Sequence, residues 1–210
     1  MKNQTLPQTL ALLAGALLIT NSVSAAPKTW AVGAPPPNWS SSANWSPAGA
    51  PAAGDDVTFT NVGGVAYVVN NTPITNNVVD AAFSARLNSL AFNQTNCSHG
   101  TLITAPGLAV SGTAAAPNPL YVGSGQDEAA NGVLSLAAIS GSSLSITNTN
   151  SPIIIQQGGA TSVATRRATL NLAGLNTFTA TVQKLLIAYE DDSANQHRRP
   201  AGTLLLAKTN

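Results

Sequence analysis

A short motif that recurs along the chain constrains its fold more than any other feature. Each copy begins with a small residue, a β-branched residue and a leucine and ends in alanine; the copies occupy residues 100–105, 132–137, 168–173 and 202–207. Their starts are 32, 36 and 34 residues apart. Self-similarity at a spacing of roughly 20–50 residues is the signature of repeat proteins, in which each repeat is one structural unit.

Two further apolar segments follow the same spacing. One precedes the motif, at residues 87–92, 120–123, 153–156 and 185–188, and another follows it, at residues 108–111, 144–147 and 178–182. Apolar and polar residues alternate within them, as in Leu144-Ser145-Ile146, which is typical of strands with one buried face. Long helices are excluded because Gly, Pro or Asn interrupts almost every stretch of roughly ten residues that a helix would need.

Three strands in about 33 residues are what one coil of a parallel β-helix requires. We therefore predict an all-β solenoid of such coils, with a β-sandwich as the alternative. Equivalent residues should stack, so Leu136 is expected over Leu172 and Leu206, with Asn and Ser side chains hydrogen-bonded at the corners. The segments that differ most between coils, residues 124–131, 157–167 and 189–201, are predicted to loop from one corner.

The first 25 residues have the pattern of a secretory signal peptide. Lys2 is positively charged, residues 10–19 form an apolar run, and small residues including Ala25 precede the predicted cleavage site. A membrane anchor is disfavoured because crossing a bilayer takes about 20 apolar residues. We predict a secreted or outer-surface protein, with an N-terminal cap and first strands over residues 26–85 and coils over residues 86–210.

Charge and ligand chemistry exclude several classes of function. Apart from Lys2, the chain has eight basic and eight acidic residues, so no basic surface attracts nucleic acid or anionic lipid. Two His and one Cys are too few for a zinc site. The acidic loops at Asp127-Glu128 and at residues 190–192 lack a Gly-rich calcium-binding pattern, so we predict no metal and no cofactor.

The single cysteine, Cys97, cannot form an internal disulfide. In a strand, His99 would share its face, which suggests a catalytic pair. The polar surroundings at residues 96–100 instead favour a turn, and no third residue orients the pair. We predict a thiol in a loop and no catalytic residue.

All three tryptophans, Trp30, Trp39 and Trp45, fall within sixteen residues. A solenoid needs an end cap, because its terminal coil would otherwise expose backbone groups and apolar side chains. We predict that the indoles cover the first coil. The alternative is a glycan-contact surface on which sugar rings stack.

The same region carries a family resemblance. Asn38-Trp39-Ser40, Asn44-Trp45-Ser46, Pro51 and the run Gly-Asp-Asp-Val-Thr-Phe at residues 54–59 resemble the opening of bacterial autotransporter-associated β-strand repeat proteins. Residues 168–175 and 202–210 resemble their repeat. The resemblance implies a right-handed parallel β-helix, export, a structural or adhesive role and no catalytic residue. It also implies that the chain, which stops straight after a strand, is part of a longer protein.

Together these features predict a structural or adhesive scaffold at the cell surface that lacks catalytic activity. Its expected partners are extracellular glycans or further repeats of the same protein. The alternatives are a carbohydrate-binding module and a polysaccharide-degrading β-helix enzyme. Arg166-Arg167 and Arg198-Arg199 could face a polyanionic glycan, but no paired acids stand near them to act as a general acid.

Overall fold

The computed structural model describes residues 26–31, 37–67, 74–123, 134–157, 167–188 and 201–210. Residues 1–25 and most of the three variable loops therefore lie outside the described residues. Within the described ranges the regular secondary structure is strand, apart from one short 3-10 helix at Ser42–Asn44. In chain order the strands are β1 (Pro27–Trp30), β2 (Trp45–Ser46), β3 (Asp56–Phe59), β4 (Val65–Ala66), β5 (Asn77–Val79), β6 (Arg86–Leu87), β7 (Ser89–Phe92), β8 (Cys97–Ile103), β9 (Leu108–Ser111), β10 (Leu120–Val122), β11 (Leu134–Asn148), β12 (Ile153–Ile155), β13 (Arg167–Asn171), β14 (Leu175–Val182), β15 (Leu185–Ile187) and β16 (Gly202–Leu205).

These strands form a β-solenoid of about four turns, which confirms the predicted fold. The first sheet has the order β15-β12-β10-β7-β3-β1-β2. The second has the order β16-β13-β11-β8-β4, and β5, β6, β9 and β14 join it. Parallel partners are about 33 residues apart, as between Leu120 and Ile153. A sandwich of antiparallel sheets does not form, because successive coils lie side by side and run in the same direction.

The core consists of apolar ladders inside the coils. Val57, Leu90, Leu120 and Ile153 take equivalent positions in β3, β7, β10 and β12, and each is at most 1% exposed. Side chains alternate between the two faces of a strand, so the residues between them point outward. Burying an apolar side chain of this size contributes about 1.5–3 kcal/mol. Each coil thus extends a continuous core.

The downstream strands pair as predicted. Leu108 in β9 is the partner of Leu144 in β11, which is in turn the partner of Phe178 in β14. β11 contains both a motif strand and a downstream strand, because its fifteen residues run through the corner between them. The strand passes this corner at Gly141, which has a φ of +96°.

The upstream segment at residues 87–92, predicted as one strand, is two. Leu87 belongs to β6 and is the partner of Val110, whereas Leu90 belongs to β7 and is the partner of Leu120. Both leucines are fully buried. Residues three positions apart point to opposite faces of a straight strand, so a corner at Asn88 is needed to turn both inward.

The predicted ladder through Leu136, Leu172 and Leu206 is wrong at Leu136, whereas Leu172 and Leu206 keep the 34-residue offset at which β13 pairs with β16. Leu136 is the partner of Ser98 in β8 and of Thr169 in β13. The prediction aligned motif copies that start 36 residues apart, whereas these coils pair 33 residues apart. The difference of three residues is odd, and because side chains alternate along a strand, it exchanges the inner and outer faces.

The ladder that forms instead runs through Ala137, Leu170 and Leu204. Ala137 and Leu170 are at most 1% exposed, and Leu204 packs against the core from the last coil. Stacking of equivalent residues therefore holds, with a register set by burial. Similarity of the motif predicted the register of β13 with β16 but not that of β11 with β13.

Polar side chains join successive coils at the corners, as predicted. The Asn61 amide donates to the Thr95 hydroxyl at 2.9 Å, across 34 positions of sequence. The Ser151 hydroxyl donates to Oδ1 of Asn118, also at 2.9 Å and across 33 positions. These bonds tie each corner to the one in the neighbouring coil.

Three tryptophans pack together at the N-terminal end, the region in which the sequence predicts a cap. Trp30 stacks on Phe59 with 5.6 Å between ring centroids and meets Trp45 edge-on at 5.0 Å. Trp39 lies 5.4 Å from Trp45 and 5.7 Å from Phe59. β1 adds a parallel strand beyond β3, and β2 pairs antiparallel with β1. β2 thus covers a sheet edge that would otherwise be open.

Candidate functional site

Trp30, Trp39 and Trp45, the predicted cap or glycan-contact residues, lie together in the core. Their exposed fractions are 2%, 0% and 3%. The Trp39 indole donates to Oδ1 of Asn77 and the Trp45 indole donates to the Trp39 carbonyl, each at 2.8 Å. Because the rings cover one another and Phe59, they leave no face at the surface on which a sugar could stack.

Cys97 and His99 lie in β8, so the prediction that this cysteine occupies a loop is wrong. The two side chains are 7% and 0% exposed. They are on one face of the strand: a Cβ added to Gly64 would be 2.6 Å from the Cys97 Sγ and 3.2 Å from the His99 Nε2. The segment was misassigned because its polar residues, typical of turns, are buried here between coils.

The surroundings of this pair do not favour a nucleophile. Burial raises the pKa of the Cys97 thiol to about 11, so the thiol is protonated at neutral pH, whereas the thiolate is the reactive form. Burial lowers the pKa of His99, opposed by the hydrogen bond between its Nε2 and the Thr60 carbonyl at 2.6 Å. Both groups are therefore uncharged at neutral pH.

The carboxylates of the cap region accept hydrogen bonds from backbone amides. Asp80 accepts from Ser40 at 3.1 Å and from Ala82 at 3.0 Å. Burial acts to raise the pKa of Asp80, but these hydrogen bonds outweigh it and the pKa is lowered. Asp55 accepts from Ala52 at 2.8 Å. Both side chains thereby hold loops in place.

Most of the charged loop residues singled out in the sequence lie outside the described residues. These are Asp127-Glu128, residues 190–192, Arg166 and residues 198–199; Arg167 is exposed at the start of β13. Across the described ranges, no three His, Cys, Asp or Glu side chains gather to hold a metal ion. Nor does that part of the chain contain a helix long and apolar enough to cross a membrane.

A polar groove crosses the outer face of β3, β7 and β10. Its volume is about 410 Å³, and the loop at residues 116–118 forms part of its lining. Thr58, Ala91 and Tyr121 form one outward row across its floor. The small side chain of Ala91 leaves a depression between its two larger neighbours, where adjacent strands are about 4.8 Å apart.

Hydrogen bonds hold the polar side chains of the groove. Oδ1 of Asp56 accepts from the Asn88 amide at 2.8 Å and from the Ser89 hydroxyl at 2.6 Å. Oδ1 of Asn118 accepts from Ser151 at 2.9 Å, so its amide hydrogens can serve another acceptor. Burial raises the pKa of Tyr121, opposed by its hydrogen bond with Gln156, so this residue stays a neutral phenol.

Sequence reasoning missed this groove. Asp56 was singled out only as part of a family-like run, and Tyr121 only as part of a strand. The alternation of apolar and polar residues identifies which positions point outward. It does not show where a small outward side chain leaves a depression between larger ones. A small residue, Ala91, in the same outward row as Thr58 and Tyr121 is the signal that could have located the depression, once the register was known.

Comparison of the chain with protein-family models, with curated proteins and with solved structures finds no match. The resemblance to autotransporter-associated repeat proteins stays a prediction based on motifs.

Proposed function

We propose that this chain is a structural and adhesive β-solenoid of the bacterial exterior, related to autotransporter-associated repeat proteins and without catalytic activity. The observation that carries the proposal is the use of the interior for packing. Inward positions of successive coils form buried ladders, and three indoles fill the N-terminal end. The buried thiol and imidazole of Cys97 and His99 are both uncharged at neutral pH, which disfavours nucleophilic catalysis.

The corner hydrogen bonds support the same function. Amide and hydroxyl side chains such as Asn61, Thr95, Asn118 and Ser151 form hydrogen bonds between neighbouring coils. Repeats that contact only their neighbours form elongated, stable arrays, because each interface adds to the stability of the whole. Such an array suits a protein that must extend from a surface.

Incubation with polysaccharides tests the absence of catalysis. The purified chain beginning at Ala26 is mixed with neutral and uronic polysaccharides, and new reducing ends and unsaturated ends are measured over time. We expect neither above the level of a heat-denatured sample. Release of ends by the folded protein alone would overturn this part of the proposal.

Expression with the native N-terminus in a bacterium tests export. Cell fractionation should place the protein outside the cytoplasm, and N-terminal sequencing should begin at Ala26, after the small residues that a signal peptidase requires. A cytoplasmic protein that retains Met1 would contradict export without bearing on the packing argument.

The groove favours carbohydrate binding as a second function. Oδ2 of Asp56 accepts no hydrogen bond from the described residues and can receive two hydroxyl donors, while the amide of Asn118 can donate. Tyr121 offers a ring for apolar contact with a sugar. None of the described residues that line the groove is Lys or Arg, so a neutral sugar fits better than an anionic one. Asp56 is the one carboxylate among the described lining residues, whereas glycoside hydrolysis requires a pair.

Titration with neutral tetrasaccharides of glucose, mannose, xylose and galactose tests this second function, with an oligogalacturonate as the anionic comparison. Tyr121→Ala removes the ring, and Ala91→Leu fills the depression without altering Asp56 or Tyr121. Tyr67→Ala is the matched control, because Tyr67 lies outside the groove. Calorimetry measures affinity, and circular dichroism checks the fold of each variant.

We expect at least one neutral tetrasaccharide to bind, with affinity about tenfold lower in Tyr121→Ala, the size of one aromatic contact. Ala91→Leu should abolish binding and Tyr67→Ala should leave it intact. Absence of binding to every neutral sugar, or equal binding by folded Ala91→Leu protein, would refute a saccharide site in the groove. The scaffold proposal would stand in either case.

A further inference from the structure

Asp55 is a buried carboxylate in the cap. Its side chain is 3% exposed. Oδ2 accepts a hydrogen bond from the Ala52 amide at 2.8 Å, and Oδ1 accepts one from the backbone nitrogen of Ala26 at 3.2 Å. Within the described ranges it forms no ion pair with a cationic side chain. The charge is thus held by backbone hydrogen bonds alone.

Burial of a carboxylate is costly unless a cation stands against it. Two amide hydrogen bonds offset part of that cost, but each peptide N–H carries only a partial charge. The atom next to Oδ1 is the nitrogen at which the predicted signal peptide ends. In the uncut chain it is a neutral amide, whereas at a free N-terminus it is an ammonium with three hydrogens.

We propose that cleavage between Ala25 and Ala26 creates the counterion of Asp55, and that the resulting ion pair locks the N-terminal cap. The inference rests on the proposed export, because a signal peptidase makes the cut. Water adds across the peptide bond, which leaves a carboxylate on Ala25 and an α-amine on Ala26. That amine takes up a proton, since its ordinary pKa is about 8, and pairs with Oδ1 of Asp55.

The surrounding backbone holds Ala26 in place for this pairing. Its carbonyl accepts a hydrogen bond from the Asp56 amide at 3.0 Å, and β1 begins at the next residue. Pro27 and Asp56 are partners in the parallel pairing of β1 with β3. The new terminus therefore lies at the start of an ordered strand, directly beside the carboxylate. Processing would strengthen the same strand that carries Trp30 into the cap.

The experiment compares two purified chains that differ by one residue. One begins at Ala26, released from a fusion by a protease that leaves no extra residue, and the other begins at Ala25. The extra residue moves the ammonium away from Asp55 and restores an amide at Ala26. Each chain is made with Asp55, with Asp55→Asn and with Asp80→Asn. Asp80 is the matched control, since it also accepts two backbone hydrogen bonds in the cap.

With Asp55 present, we expect the extra residue to lower the folding equilibrium constant about tenfold or more, measured by urea unfolding, because breaking a buried pair leaves an uncompensated charge. With Asp55→Asn the two chains should unfold at the same urea concentration. With Asp80→Asn the difference between the chains should persist. Equal stability of the two wild-type chains, or a difference that survives Asp55→Asn, would overturn the inference.

Chemical labelling covers the case in which Asp55→Asn does not fold. An amine-reactive reagent is applied to the chain that begins at Ala26, and mass spectrometry follows labelling of the α-amine against that of the exposed Lys184. Folding should slow α-amine labelling at least tenfold relative to the urea-unfolded chain. No protection would overturn the ion pair. Because these chains are made without export, a failure of export alone leaves the outcome unchanged.

Discussion

His99 places an ionisable ring inside the solenoid. The ring is fully buried and its centroid lies 4.9 Å from that of Phe59. Nε2 is bonded to the Thr60 carbonyl, while Nδ1 is buried with no hydrogen-bond partner in the described residues. Protonation would add a hydrogen to Nδ1, where no described residue accepts a hydrogen bond. It would also give the buried ring a positive charge. The lowered pKa of His99 follows from this desolvation.

The protein should therefore lose stability as the pH falls below about 6.5, the ordinary pKa of histidine in an unfolded chain. Because the folded-state pKa lies lower, the unfolded chain binds the proton first, and the contribution of His99 is complete only above this pH. Urea unfolding of wild type and of His99→Gln between pH 5 and 8 measures the effect. The Gln side chain can donate to Thr60 but does not titrate.

The free-energy difference between the two proteins should shrink or reverse as the pH falls. The neighbouring Cys97 thiol does not interfere, since its pKa of about 11 lies far above this range. A difference that is constant from pH 5 to 8 would mean that His99 does not titrate differently in the two states.

The burial of Cys97 and His99 could not be read from the sequence. Asn96, Ser98 and Gly100 are of types favoured in turns. Whether these side chains point inward or outward depends on which residues of the preceding coil lie beside them. No local sequence pattern predicts this. Burial of the tryptophans was easier to expect, since large indoles are costly to expose.

At the scale of elements, the bend in β11 connects two faces of the solenoid within one strand. Gly141 takes a φ of +96°, and its amide donates to the Gly174 carbonyl at 3.0 Å. A Cβ at this position would lie 2.2 Å from the Ile103 carbonyl oxygen of the neighbouring coil. Both the conformation and the close approach of the coils therefore require glycine.

Gly141→Ala should lower the free energy of unfolding by more than the roughly 1–3 kcal/mol of backbone strain alone, because neighbouring coils must also separate. Gly54→Ala is the matched control: its φ is +86°, but an added Cβ meets nothing within 4 Å. Both losses are measured as shifts of the urea midpoint, provided that the dependence of the unfolding free energy on urea concentration is unchanged. Equal losses in the two variants would show that the contact with Ile103 carries no cost.

Strand positions were predictable where apolar and polar residues alternate without interruption. The pairing of Leu108 with Leu144 and Phe178 is an example, since each strand has one unambiguous inward face. Register failed for Leu136 because β11 is apolar on both sides of its chain, with Leu136 and Ala137 both buried. A strand buried on both faces does not reveal which face belongs to the core.

At the scale of the whole molecule, the two ends of the solenoid differ. The N-terminal end is closed by buried indoles, whereas Leu185, Ile187 and Leu206 in the last coil are 48%, 40% and 57% exposed. Leu185 continues the ladder whose earlier members, such as Ile153, are buried. The period of the sequence predicted the ladders. The members of a ladder differ in burial because they are covered by different numbers of neighbouring coils. The sequence of a single repeat does not contain this information.

A stack stabilised by neighbouring coils should therefore open from its less buried end. In native-state hydrogen exchange, amides of β15 and β16 should exchange fastest, and those of β7 and β10 slowest.

Trp39→Ala should destabilise the N-terminal end by about 3–5 kcal/mol, as for other buried Trp side chains, and so raise the exchange rates of amides in β1 and β3. Ile187→Ala, at an exposed position of the last coil, is the control and should change exchange in β15 only slightly. Uniform protection in wild type, or equal acceleration of all strands by Trp39→Ala, would mean that the solenoid unfolds as a single unit rather than coil by coil.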